Sequence, residues 1–167
     1  IEEYYNPFSV TSASYFVKDL DALILDQQIN QRPGESFQYK SGTTQLLGMV
    51  IKKATGKSLS VYMTEKLWQP MGAEHSALWQ LDSSENGMEK AFCCLATNAR
   101  DFARIGKLYK NYGRWNCTQL LDSAFIARSI QPRFEEDPEY GYGLWLDEFQ
   151  DKKHSLHLEI AKFFINR

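Results

Sequence analysis

Residues 33–56, PGESFQYKSGTTQLLGMVIKKATG, decide how this 167-residue chain is read. Arg32-Pro33-Gly34 makes a turn, because proline presets φ and glycine tolerates positive φ. Residues 35–39 are short, alternating and extended in character. Ser41 is of the type that caps helices, and Leu46, Leu47, Val50, Ile51 and Ala54 follow at helical spacing until Gly56 stops them. Tyr39 therefore stands at the end of an extended segment, directly before a helix N-terminus. The positive end of the helix dipole favours an anion there, and so does the Lys40 cation if it turns inward. A tyrosine so placed can exchange a proton with a nucleophile or a leaving group. On the residues alone it is more commonly a half-buried packing residue, since tyrosines before helices are common. Ser41 likewise has two readings, as a helix cap or as a hydrogen-bonding group that lines a site.

Working outward, the apolar residues of 14–28 (Phe16, Val17, Leu20, Leu23, Ile24) predict one amphipathic helix, entered from a loop over 1–13. Ser58 caps a helix through Tyr62, Met63 and Leu67 that ends at Gln69-Pro70-Met71-Gly72. Residues 73–90 are irregular, with a surface loop at 82–87. Thr97 or Asn98 caps a helix carrying Phe102, Ile105, Leu108 and Tyr109, closed by Tyr112-Gly113. Asp122 leads into a short helix to Ile130. An acidic loop, Glu135-Glu136-Asp137-Pro138, precedes YGYGLWL at 140–146, which predicts a strand whose glycines admit another backbone. This is not a regular βαβ alternation. The expected class is α+β, helix-rich with few short strands, in a single partial domain over 1–167.

Composition excludes several functions. The net charge of -2 offers no basic field for nucleic acid. No apolar run approaches the roughly 20 residues of a membrane span. Cys93, Cys94 and Cys117 make a poor disulfide framework. Cys93 and Cys94, flanked by Ala91, Phe92 and Leu95, read as buried small hydrophobes or as metal ligands. His75, His154 and His157 lack a zinc-type companion pattern, so no metal is expected. Trp68, Trp79, Trp115 and Trp145 suit an apolar cleft wall, with core packing expected for at least two of them.

Several motifs in fixed order carry a family resemblance. They are Pro33-Gly34, Phe37, Tyr39-Lys40-Ser41, Leu46-Leu47-Gly48, Thr55-Gly56 and Pro70-Met71-Gly72. The series continues through 96–106 (ATNARDFARIG), Gly113-Arg114-Trp115-Asn116 and Tyr140-Gly141-Tyr142-Gly143. Over about residues 14–146 the chain resembles the serine β-lactamase-like and penicillin-binding-protein-like hydrolases. The class C β-lactamase, esterase and 6-aminohexanoate-dimer hydrolase branch matches best. The resemblance implies the helical part of that fold and acyl transfer on an amide or ester small molecule, without a cofactor. It implies Tyr39 as the catalytic tyrosine and Ser41 as a substrate-site residue. A periplasmic or secreted bacterial setting is compatible with it, and no targeting signal decides the compartment.

The match has gaps. No lysine has a serine three residues before it, so the Ser-x-x-Lys motif that supplies such enzymes' nucleophile is absent from these residues. The expectation is a fragment that is inactive alone, with uncovered apolar helix faces that invite oligomerisation. The alternative is a non-catalytic binding or regulatory module that keeps the fold. Residues 147–167 contain no glycine and read as a divergent or truncated end, a terminal helix or strand. Asn116-Cys117-Thr118 stands where Asn-Gly-Thr is expected, which predicts a strained turn at Cys117.

Overall fold

Short polar side chains start most of the helices. The computed structural model describes residues 6–29, 31–32, 34–134, 140–147 and 157–158. Helix α1 is Val10–Phe16, and the Ser9 hydroxyl accepts the Ser12 amide at 3.2 Å. Helix α2 is Leu20–Leu25, capped by Asp19, which accepts the Ala22 amide at 2.9 Å. Helix α3, Ser41–Thr55, ends at Gly56 with φ +67°. Helix α4, Leu59–Met63, is capped by Ser58 and continues into a wider π-helical turn, Thr64–Trp68. Helix α5, Ala99–Lys110, is capped by Asn98, and α6, Ser123–Ser129, by Asp122. These side chains satisfy amides that a helix leaves without an internal partner.

Strands are short. Leu78–Trp79 (β1) pairs with Leu95–Ala96 (β2), Arg114–Trp115 (β3) with Thr118–Gln119 (β4), and Leu146–Asp147 (β5) with His157–Leu158 (β6), each antiparallel. The expected helix-rich α+β class holds.

Two local expectations are corrected. The single helix expected over 14–28 is two helices, and the first begins inside the expected loop. Asp19 breaks the pattern by capping α2, while the Leu20 amide donates to Asp82 Oδ2 at 2.8 Å. YGYGLWL is not one strand. Tyr140 bridges Trp145, the Gly141 amide donates to the Leu144 carbonyl at 2.8 Å, and only Leu146 onward is strand. Its glycine does admit another backbone: a Cβ on Gly141 would collide with the Ser129 carbonyl oxygen. The expected Cys117 strain is present, since Asn116 (φ +43°) and Cys117 (φ +67°) turn the β3–β4 hairpin in the left-handed region. Pro33, the acidic loop 135–138, His154 and most of 147–167 lie outside the described residues. The described pair His157–Leu158 is strand rather than helix.

The chain forms two compact units, 1–65 with 77–96, and 66–76 with 97–167. Leu20, Ile24, Leu59 and Met88 are buried in the first. Trp68, Met71, Leu108, Trp115, Ile126, Leu144 and Leu146 are buried in the second. Two of the four tryptophans, Trp68 and Trp115, are thus core residues. On α3, Leu46, Leu47 and Val50 stand exposed.

Candidate active site

The segment before α3 is a turn followed by residues 37–40, which lie outside any helix or strand. Gly34 has φ +84°, and the Glu35 amide donates to the Arg32 carbonyl at 3.4 Å. Lys40 is extended (φ −137°, ψ 116°) and occupies the cap position of α3 without a side-chain cap bond. Ser41 is the first helical residue. The cap reading of Ser41 is therefore corrected: its backbone is already helical, one position past the cap. Tyr39 is 42% exposed, while Lys40 and Ser41 are half-buried. No residue in the first turn of α3 is acidic, so no carboxylate on the helix offsets its positive end.

The first turns of α3 are fixed from behind. Gln45 is fully buried. Its Nε2 donates to the Glu89 carbonyl at 3.0 Å, and its Oε1 accepts the Ala91 amide at 2.7 Å. One turn on, a Cβ on Gly48 would lie 2.6 Å from the Ala91 Cβ. A side chain at 48 would push the 89–91 backbone off the helix. Glu89 in turn caps α4, its Oε1 accepting the Ser60 amide at 2.9 Å. Burial raises the Glu89 pKa, but hydrogen bonds from Ser60, its own backbone and Leu59 outweigh it and hold the carboxyl below the usual range. Lys90 is 1% exposed, and its ammonium donates to the Tyr15 carbonyl at 2.7 Å. Burial lowers its pKa, and Asp82 partly opposes that. Neither Gln45 nor Lys90 was marked by the sequence, because both partners are distant in the chain.

Cys93 and Cys94 are half-buried and disulfide-bonded to each other, so the buried-hydrophobe and metal-ligand readings are both corrected. The Trp79 indole donates to the Lys90 and Cys93 carbonyls at 3.0 and 2.9 Å. Among the described residues no group of three or more His, Cys, Asp or Glu side chains is arranged to hold a metal ion. No described helix is long and apolar enough to cross a membrane.

In the second unit the start of α5 gathers a second polar constellation. Asp101 has a fully buried side chain. It accepts the Glu74 and His75 amides, each at 3.0 Å, the Asn98 side chain at 2.7 Å and Arg104 Nε at 3.1 Å. Burial raises its pKa, yet bonds from the Glu74 amide, Asn98, and the amide and ring of His75 hold the carboxyl far below the usual range. The local signal was present, since Asn98 and Asp101 have the spacing of a capping box. The donors from Glu74 and His75 had no sequence signal.

The beta-lactamase family profile matches residues 2–157. The chain belongs to the beta-lactamase family. Solved structures agree with this chain of the beta-lactamase family in fold. One, from Bacillus anthracis and described as a 6-aminohexanoate-dimer hydrolase, is 25% identical with a TM-score of 0.66. The match spans 90% of this chain and 37% of that one. A Bacteroides dorei protein described as a beta-lactamase (18% identical, TM-score 0.63) is covered over 46% of its length. A D-stereospecific amidohydrolase from Streptomyces sp. (18%, TM-score 0.56) is covered over 45%. Protein flp of Staphylococcus aureus strain COL is 31% identical over 72 residues, which is 43% of this chain and 14% of that protein. The chain thus spans a small part of the curated relatives and less than half of these structures.

Proposed function

We propose that this chain of the beta-lactamase family contributes to the acyl-transfer site of a serine hydrolase for small amide or ester substrates, with Tyr39 as the proton-transfer group. The observation that carries this reading is the position of Tyr39. It is half-exposed and one residue before the cap of a 15-residue helix whose first turn holds no acid. The Tyr39 hydroxyl, on this reading, relays a proton from an attacking serine to the leaving amine or alcohol. Ser41, half-buried on the first turn, lines the same place as a hydrogen-bonding group. The bonds from Gln45 to 89 and 91 keep the helix start in register. The description of the 25%-identical neighbour as a hydrolase supports the reaction class.

The serine and lysine are supplied, on this reading, by protein outside these 167 residues, which contain no Ser-x-x-Lys. The 167 residues expressed alone then turn over neither a p-nitrophenyl ester nor a chromogenic β-lactam. The whole protein turns over at least one of them through an acyl-enzyme seen by mass spectrometry. A whole protein that is never acylated by either substrate supports the non-catalytic binding module instead.

A further inference from the structure

The pairing of Cys93 with Cys94 joins two neighbouring residues, with Cα atoms 3.7 Å apart, and closes a small ring around one peptide bond. Cys94 has φ +71°, a conformation that residues with a Cβ adopt only when their surroundings hold them there. The covalent ring is such a hold. The carbonyls of this strained pair anchor the neighbouring chain. Cys94 O accepts the Gln80 amide at 3.2 Å, and Cys93 O accepts the Trp79 indole at 2.9 Å. The Cys93 amide donates back to the Lys90 carbonyl at 3.0 Å, and Ala91 is tied to Gln45 of α3 at 2.7 Å. The loop is therefore held at both ends by bonds that depend on its present backbone path. Both cysteines are half-buried rather than sealed in the core.

We propose that Cys93–Cys94 is a reversible thiol–disulfide modification site that sets the conformation of the 90–96 loop. A thiolate of a small cellular thiol attacks one sulfur, forms a mixed disulfide and releases the other cysteine as a thiolate. A second thiol then displaces the first cysteine. Two thiols are oxidised to their disulfide, and the protein disulfide takes up two electrons and two protons to become two thiols. Exchange with the disulfide of the same small thiol runs the reaction backwards. Opening the ring frees Cys94 to leave the left-handed region, and the bonds from Gln80, Trp79 and Ala91 loosen with it. Cys117 takes no part, being exposed at a hairpin tip in the other unit. The inference does not rest on the hydrolase reading.

The test equilibrates the whole protein with reduced or oxidised glutathione, then alkylates it and digests it with trypsin. Peptide 91–100 is expected unalkylated and two hydrogens lighter in oxidised buffer, and doubly alkylated in reduced buffer. Hydrogen exchange at the Gln80 and Ala91 amides is expected to be about tenfold or more faster in the dithiol form, with Val50 and Ile51 in α3 unchanged. In Cys94→Gly, which tolerates the positive φ but cannot form the pair, exchange at those amides ignores the redox buffer. Two alkylated cysteines in oxidised buffer would overturn the proposal. So would equal exchange in both forms, a redox response that survives in Cys94→Gly, or exchange in α3 that rises as much as in the loop.

Discussion

The two longest helices described, α3 and α5, begin in opposite ways. At α5, Asn98 caps the helix, and the buried Asp101 accepts amides from Glu74 and His75 as well as Asn98 and Arg104 side-chain donors. At α3 the cap position is Lys40, with no side-chain cap bond and no acid in the first turn, beside an exposed tyrosine. The first arrangement brings its own carboxylate to the positive end of a helix and uses it to pin a distant piece of chain. The second has no carboxylate of its own in the first turn of the helix.

Removing the supplied carboxylate is expected to have the largest effect on folding. Asp101→Ala removes the acceptor of the Glu74 and His75 amides and the partner of Arg104, and is expected to lower the thermal midpoint by roughly 10 °C or more. The pH dependence has a definite sign. The folded carboxyl lies below its unfolded value of about 4, so its stabilisation is complete above that pH and is lost as the pH falls through and below it. Acid titration of the wild type should show this loss, and Asp101→Asn should flatten it. A wild-type midpoint indifferent to acid in that range would break the comparison.

Next comes the support behind α3. Gln45→Ala leaves the Glu89 carbonyl and Ala91 amide without their partner, at a cost of about 1–3 kcal/mol in urea unfolding. A Gln45→Ala loss larger than that of Asp101→Ala would reverse the ranking of the two helix starts. The smallest effect is a gain. Cys117→Gly relieves a left-handed backbone at the hairpin tip and should add about 1 kcal/mol of stability in the same assay.

What could be read from sequence follows the same division. Ser58, Asn98, Asp122 and Gly56 act on residues three or four positions away, so helix ends were legible at those places. Asp19 lies inside the stretch 14–28 whose apolar spacing predicts one helix. What breaks the helix there also includes a bond from Leu20 to Asp82, 62 positions on. YGYGLWL alternates like a strand, but the Tyr142 amide donates to the Ser129 carbonyl, and that anchor turns the chain. The pairing of Cys93 with Cys94 had no pattern to announce it. Tyr39 is visible as an aromatic before a helix, a placement that on residues alone fits packing better than proton transfer. Its proposed role came from the ordered motifs around it, and in the structure it stands exposed one residue before the cap position of α3.

The most direct test of that role is Tyr39→Phe in the whole protein, measured for both thermal unfolding and ester or amide turnover. The expected result is a protein that still folds cooperatively, because the ring is kept. The expected kcat/KM falls by roughly 10²–10⁴, because the proton acceptor is gone. Turnover retained at the wild-type level, or lost only in step with folding, would contradict a proton-transfer role for Tyr39.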